Sequence, residues 1–406
     1  MITSKEVLIS LQKKGGLMPQ EEMLEVSRKK GSLSIGVPKE TYFQENRICL
    51  VPEAVALLVS NGHHVIIETN AGKAANFDDK DYSEAGAKIA YSAKEVYESD
   101  IILKVAPPSD EEIEMLQRKQ TLFSALQMTV QSDNYVKQLM NKKVTAIAYD
   151  YIKDEDGIFP IIRSMSEIAG NTSILIAAEY LSNINNGNGS MFGGITGTSP
   201  TEVVILGAGT VGEFATRAAL GLGAMVKIFD NSVYRLRRLQ SDLATRVFTS
   251  VLQPKVLAKA LKTADVVIGA IRAPNGRTPC VVTEEMVSEM KYGSVMIDIS
   301  IDQGGCFETS KVTNHTNPVF RTHGVIHYCV PNIPSRVSRT ASYALSNVLT
   351  PILVNIGDEG GVESLLRSNS GVRHGVYIYN GILTNQFLGE TFRLPYKDID
   401  LLMAAF

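Results

Sequence analysis

One stretch, residues 203–230, restricts the fold of this chain more than any other: VVILGAGTVGEFATRAALGLGAMVKIFD. An apolar run of strand character, Val203 to Leu206, enters Gly207-Ala208-Gly209-Thr210-Val211-Gly212. An alanine-rich helical segment follows, and a second apolar run from Met225 to Phe229 stops at Asp230. Each glycine has its own reason. Gly207 permits a tight turn, Gly209 lets backbone amides approach a pyrophosphate, and Gly212 lets the helix pack closely on its strand. The helix N-terminus then offers unbonded N–H groups and a positive dipole end to phosphate. Asp230, about 20 residues on, stands where a carboxylate accepts from the adenosine ribose hydroxyls and repels a 2′-phosphate. The expected cofactor is therefore NAD rather than NADP. A glycine triplet alone is a weak signal, but strand, glycines, helix, strand and acid in this order are a strong one.

At 406 residues the chain is too long for one ordinary core, and two domains are expected. A net charge of −3 with both signs interspersed argues against a nucleic-acid partner. No apolar run approaches the ~18 residues of a membrane span. Cys49, Cys280, Cys306 and Cys329 lack metal-ligand or CxxC spacing, so free thiols in a reducing cytoplasm are expected, with no metal site.

The hydrophobic pattern gives the organisation. Residues 1–32 read as an N-terminal helical appendage, two short amphipathic helices parted by Gly15-Gly16, with no chemistry of its own. Strands are expected at Leu33–Val37, His64–Glu68, Ile101–Val105 and Val144–Tyr149, with helices such as Pro52–Ser60 and Asp110–Lys119 between them. A long helix, Ser164–Asn183, leads through a Gly/Asn/Ser-rich loop into the nucleotide unit, and further strands fall at Ala264–Ala270, Ser294–Ile299 and Val325–Val330. From about Arg339 the pattern turns helical. The fold class is α/β: two Rossmann-like doubly wound domains with a cleft between them. Residues 33–160 with 339–406 form a discontinuous substrate domain, and 161–338 the NAD-binding domain.

Seven segments, in order, carry a resemblance: IGVPKE (35–40), ENRICLVPEAV (45–55), SDIILKV (99–105), MSEIAG (165–170), VVILGAGTVG (203–212), DISIDQGGCFE (298–308) and HYCVPNIPSRVSRTASYAL (327–345). Together they resemble alanine dehydrogenase and, more distantly, the NAD-binding subunit of proton-translocating transhydrogenase. The resemblance implies a cleft holding NAD and a small 2-amino or 2-oxo acid. It also implies oxidative deamination of L-alanine to pyruvate and ammonium by a cytoplasmic homo-oligomer, usually a hexamer.

Site residues carry over by motif. Arg47 in ENR matches the family's substrate-carboxylate arginine, and a guanidinium fork suits a planar carboxylate. Lys104 stands within an apolar run, Ile101 to Leu103 before it and Val105 after it, where a lysine is rarely placed for stability. The resemblance has it contact the substrate and stabilise charge on the reacting oxygen. Asp302, beside Gly304 and Gly305, matches an aspartate implicated in catalysis; without the resemblance it would be a turn aspartate. Asp298, within the preceding strand, reads as structural. For the cofactor, Ser166 fits a donor to the pyrophosphate, Asn332 a donor near the nicotinamide, and Arg235 a cover for the adenosine ribose. Gly269-Ala270-Ile271 should run along it.

One departure matters. The family's strand-end motif LFxxLHL places an acid–base histidine, whereas this chain has Leu122-Phe123-Ser124-Ala125-Leu126-Gln127-Met128. Glutamine donates and accepts hydrogen bonds but exchanges no proton near neutral pH. General acid–base help is typically worth ~10² to 10⁴ in rate. Three readings follow: proton transfer through Asp302, Lys104 or water, a different substrate, or NAD binding kept without turnover. A transhydrogenase-like subunit is a further alternative. Pro108 and Pro331 also differ from the family's usual residues.

Overall fold

The structure is a computed structural model that describes residues 31–128, 131–243, 245–272 and 277–404; the two helices expected before Gly31 lie outside them. The chain divides into two compact units, one of Met1–Thr41, Ile48–Pro160 and Leu345–Phe406, the other of Tyr42–Arg47 and Ile161–Ala344. Strands β1 (Ser34–Val37), β2 (His64–Glu68), β3 (Lys88–Ala90), β4 (Ile101–Leu103), β5 (Thr121–Ser124) and β6 (Thr145–Ala148) come first. The second unit holds β7 (Glu202–Leu206), β8 (Met225–Phe229), β9 (Phe248–Ser250), β10 (Val266–Gly269), β11 (Val295–Asp298), β12 (Val319–Thr322) and β13 (Val325–Tyr328). The chain then returns to the first unit for β14 (Val376–Tyr379) and β15 (Ile382–Leu383).

Among the described residues the first sheet runs β15-β14-β6-β5-β4-β1-β2-β3 and the second β12-β13-β11-β10-β7-β8-β9. In the first, β3 through β6 are parallel, and β14 and β15 join antiparallel at the β6 edge. In the second, β9 through β13 are parallel and only β12 is antiparallel. Both parallel runs follow the 3-2-1-4-5-6 order, so strand order reverses between β1 and β4 and again between β7 and β10.

Burial on both faces explains the unbroken apolar strands. In β7, Val203 and Ile205 join one core cluster with Val226, Ile228, Val266 and Ile268, while Val204 and Leu206 join another with Phe229 and Val267. Alternate residues thus feed opposite faces. The expected strands at β2 and β8 and the helix Pro52–Ser60 appear as read. The strand expected to reach Val105 stops at Leu103. Beyond it the backbone N–H groups of Val105 and Ala106 turn to the Glu40 carboxylate, at 2.6 and 3.3 Å, instead of to a neighbouring strand. The helix expected over Asp110–Lys119 ends at Met115, where Leu116 turns extended and Gln120 takes the Gln117 N–H at 2.6 Å. Strands β3 and β9 were too short and too polar to announce themselves.

Candidate active site

In the second unit, β7 ends in the glycine turn. Gly207 has φ +110°, and a Cβ there would stand 2.3 Å from the Ala270 carbonyl oxygen. At Gly212 a Cβ would fall 1.9 Å from the Gly207 oxygen. Gly209 differs: its φ is −81°, and apart from the adjoining chain no described atom lies within 4 Å of where a Cβ would be. Neither backbone strain nor internal packing calls for glycine there, which leaves the space open at the start of helix Thr210–Gly221. The helix Pro160–Leu181 crosses beside this point, where Gly170 would put a Cβ 2.5 Å from the Val211 oxygen. Ser166 lies one turn earlier on that face of the helix.

Asp230, buried at the end of β8, accepts the Ala208 N–H at 2.8 Å and the Ser232 N–H at 2.7 Å. It thereby pins the glycine turn, and Arg235, largely exposed, stands 3.8 Å away. Ile271 follows β10, its carbonyl taking the Ser300 hydroxyl at 2.7 Å. These groups fit a dinucleotide: open backbone amides, a helix N-terminus and an acid at the second strand.

The segment Tyr42–Arg47, numbered among residues expected in the first domain, packs within the second unit. Gln44 bonds Thr316 at 2.8 Å and receives the His315 N–H at 2.6 Å, while Ser335 Oγ accepts the Asn46 N–H at 2.8 Å. Arg47 faces Glu45 side-on, Nε to Oε1 at 2.7 Å and Nη2 to Oε2 at 2.6 Å. Asn332 Nδ2 donates to Glu45 Oε2 at 2.8 Å. Burial raises the Glu45 carboxyl, but Arg47 and Asn332 overcome that and hold it below the usual range. Asn332 itself is left-handed, φ +58°.

Asp302 sits in the turn Ile299–Gln303 after β11 and reaches solvent. Desolvation by the groups around it pushes its carboxyl up to about 6, against the pull of Arg47 and of the Asn332 backbone. Asp298 is fully buried and accepts the Ser300 and Cys306 N–H groups, both at 3.0 Å, and the Ser310 hydroxyl at 2.6 Å. Its work is to shape the IDQGGCF loop. His315 Nε2 is buried without a hydrogen-bond partner among the described residues.

In the first unit, Lys104 has no exposed surface. Its Nζ lies 2.8 Å from Glu112 Oε1 and 3.3 Å from Glu40 Oε2. Burial lowers the lysine pKa, and the two carboxylates more than reverse that. Glu112 belongs to a capping box, with Oε2 accepting the Ser109 N–H at 2.7 Å, and Thr41 adds a hydroxyl at 3.2 Å. The ammonium expected to reach substrate is thus committed to its own chain in this structure. Gln127, just past β5, is exposed and left-handed with φ +45°.

Sequence reasoning missed Glu40, Glu45 and Glu112, the partners of Lys104 and Arg47. Only Glu112 had a local signal, as the acid of a Ser-x-x-Glu cap. His315 stands against Gln44, its backbone N–H donating to Oε1.

Residues 36–169 match the family Alanine dehydrogenase/PNT, N-terminal domain, and 173–386 match Alanine dehydrogenase/PNT, C-terminal domain. Alanine dehydrogenase 2 of Staphylococcus aureus is 39% identical over 369 residues, covering 91% of this chain and 99% of that protein. A solved L-alanine dehydrogenase aligns with a TM-score of 0.83 at 38% identity, covering 88% of this chain and 99% of that one. A transhydrogenase from Sinorhizobium meliloti, at 22% identity and a TM-score of 0.74 over 87% and 99% of the two chains, shares the fold. With both domain profiles matched and such a relative aligned almost end to end, this chain belongs to the alanine dehydrogenase/PNT family.

Proposed function

We propose that this chain is an NAD-dependent amino-acid dehydrogenase that interconverts L-alanine with pyruvate and ammonium. Gly209 carries the reading: its missing side chain answers to nothing inside the protein, so it makes room for a ligand, and the helix behind it suits a pyrophosphate. NAD, when bound, exchanges a hydride with the substrate Cα. The chain does the rest. Gly207, Gly209 and Gly212 shape the pyrophosphate seat, with Ser166, Arg235, Ile271 and Asn332 as further cofactor contacts. Asp230 selects a free ribose hydroxyl over a 2′-phosphate.

Arg47 is the carboxylate-binding cation, oriented by Glu45. Asp302, with its carboxyl near 6, is the group able to exchange a proton at neutral pH. Gln127 orients substrate through its amide. Lys104 acts through Glu40 and Glu112, keeping the loop after β4 in place. Assembly as a homo-oligomer, on the family's hexameric pattern, and a cytoplasmic setting belong to the same proposal. Four free cysteines, three of them buried, support the setting.

A second reading has a specific observation behind it. Residue 127 cannot titrate and Lys104 is enclosed, which fits NAD binding without turnover. NADH formation with L-alanine and a panel of small amino acids decides, comparing wild type with Gln127→His. Wild-type turnover establishes the dehydrogenase and its substrate. Activity in the variant alone means a scaffold that has given up its acid–base group. Silence in both, with NAD still bound, sinks the dehydrogenase reading.

A further inference from the structure

Glu45 serves two masters with one carboxylate. Oε1 takes Arg47 Nε at 2.7 Å and the Arg47 backbone N–H at 3.0 Å. Oε2 takes Arg47 Nη2 at 2.6 Å and Asn332 Nδ2 at 2.8 Å. The residue is 7% exposed, and Ser335 Oγ stands 3.5 Å from Oε1. Its backbone is latched on both sides, since the Gln44 carbonyl accepts Ser335 Oγ at 2.8 Å and the Asn46 N–H donates to that same oxygen. All of these residues belong to the second unit.

The arrangement has a physical consequence. A side-on pair constrains the plane of the Arg47 guanidinium, whose Nη1 also meets Met165 Sδ at 3.4 Å, so Glu45 takes part in setting the direction it faces. Oε2 is shared, so any change in how Asn332 is held alters the carboxylate that orients Arg47.

We propose that Glu45 is a positioning residue that couples the cofactor to the substrate carboxylate. This rests on the function proposed above, in which Asn332 faces the nucleotide and Arg47 the acid. Nucleotide binding orders Asn332, which firms Glu45 and hence Arg47, so the acid meets a fork whose ordering has already been met. By linkage the acid tightens nucleotide binding by the same factor.

Calorimetric titration of full-length protein tests this with NAD⁺ and pyruvate, both oxidised, so that no hydride can pass between them. Wild type should bind pyruvate on the order of tenfold more tightly with NAD⁺ present than without. In Glu45→Gln an amide donor meets the donors of Arg47 or Asn332, and in Glu45→Asp the carboxylate is one methylene too short to span both. Each should show a ratio near unity. A merely structural defect shrinks the competent fraction and weakens both titrations alike, leaving the ratio unchanged, and Glu45→Asp keeps the test alive if the glutamine variant does not fold. A wild-type ratio near unity, or variants that retain the wild-type ratio, overturns the coupling. If wild type still turns over L-alanine in that case, the proposed function stands without it. Wild type that binds NAD⁺ but no pyruvate overturns both.

Discussion

The two sheets share one strand order and treat its reversal point in opposite ways. Between β7 and β10 the chain strips away side chains: Gly207, Gly209 and Gly212 leave a backbone-walled opening at a helix N-terminus. Between β1 and β4 it fills the corresponding place with its own charges, Glu40 after β1, Lys104 after β4, and Glu112 from the next helix. Further side chains stitch that loop from beneath: Tyr149 donates to the Val105 oxygen at 2.7 Å and Ser124 to the Ala106 oxygen at 2.8 Å. Doubly wound topology creates a crevice wherever strand order reverses. Whether that crevice admits a ligand or is sealed by an internal ion cluster is settled by a handful of residues at the strand ends.

The largest break in this comparison should come from Lys104→Met. It strands Glu40 and Glu112 in the interior, and removing one partner of a buried ion pair is worth about 3–5 kcal/mol. Equilibrium unfolding should register a loss of that size, and replacing both acids by glutamine as well should recover most of it. An unchanged midpoint would mean the cluster holds nothing together. The lysine pKa is raised in the fold, so its stabilisation is fully present below the unfolded value of about 10.4 and is lost as pH rises through the folded one. Wild type should therefore lose stability in strong alkali faster than the triply neutral variant.

On the other side of the comparison, Gly212→Ala drives a Cβ into the Gly207 oxygen and should cost about 1–3 kcal/mol of stability along with NAD affinity. Gly209→Ala sharpens the point. With nothing to clash against, it should shift stability by less than about 0.5 kcal/mol. NAD affinity should nonetheless fall at least about tenfold, or about 1.4 kcal/mol. A melting curve and an NAD titration on the same sample separate the two effects, and unaltered affinity would mean the opening is not a ligand seat.

The smallest effect expected is in the pH profile. With Asp302 raised to about 6, kcat/KM should climb through that pH as the carboxylate forms, and Asp302→Asn should remove the limb. A limb that survives the substitution assigns the proton to another group, and His315, with its unpartnered Nε2, is the first to examine.

The nucleotide half of this protein was legible because its signals are local. Tight turn, close approach and helix packing each demand glycine at a fixed spacing, and an apolar strand on either side completes a contiguous pattern. The departure at Gln127 was equally visible, since it is one letter in a short motif. Cations with chemical promise could be named in the same way. What they touch could not, because Lys104 meets Glu40, and the Glu45 carboxylate that pairs with Arg47 is shared with Asn332, across long stretches of chain. Nor could a linear reading show that Tyr42–Arg47 leaves its sequence neighbours to pack within the second unit. The sequence by itself determined two α/β units, the glycine turn that opens the second of them and the glutamine at residue 127. The tertiary structure alone decided which charges are spent on one another, because buried ions must find counter-ions wherever the fold brings them.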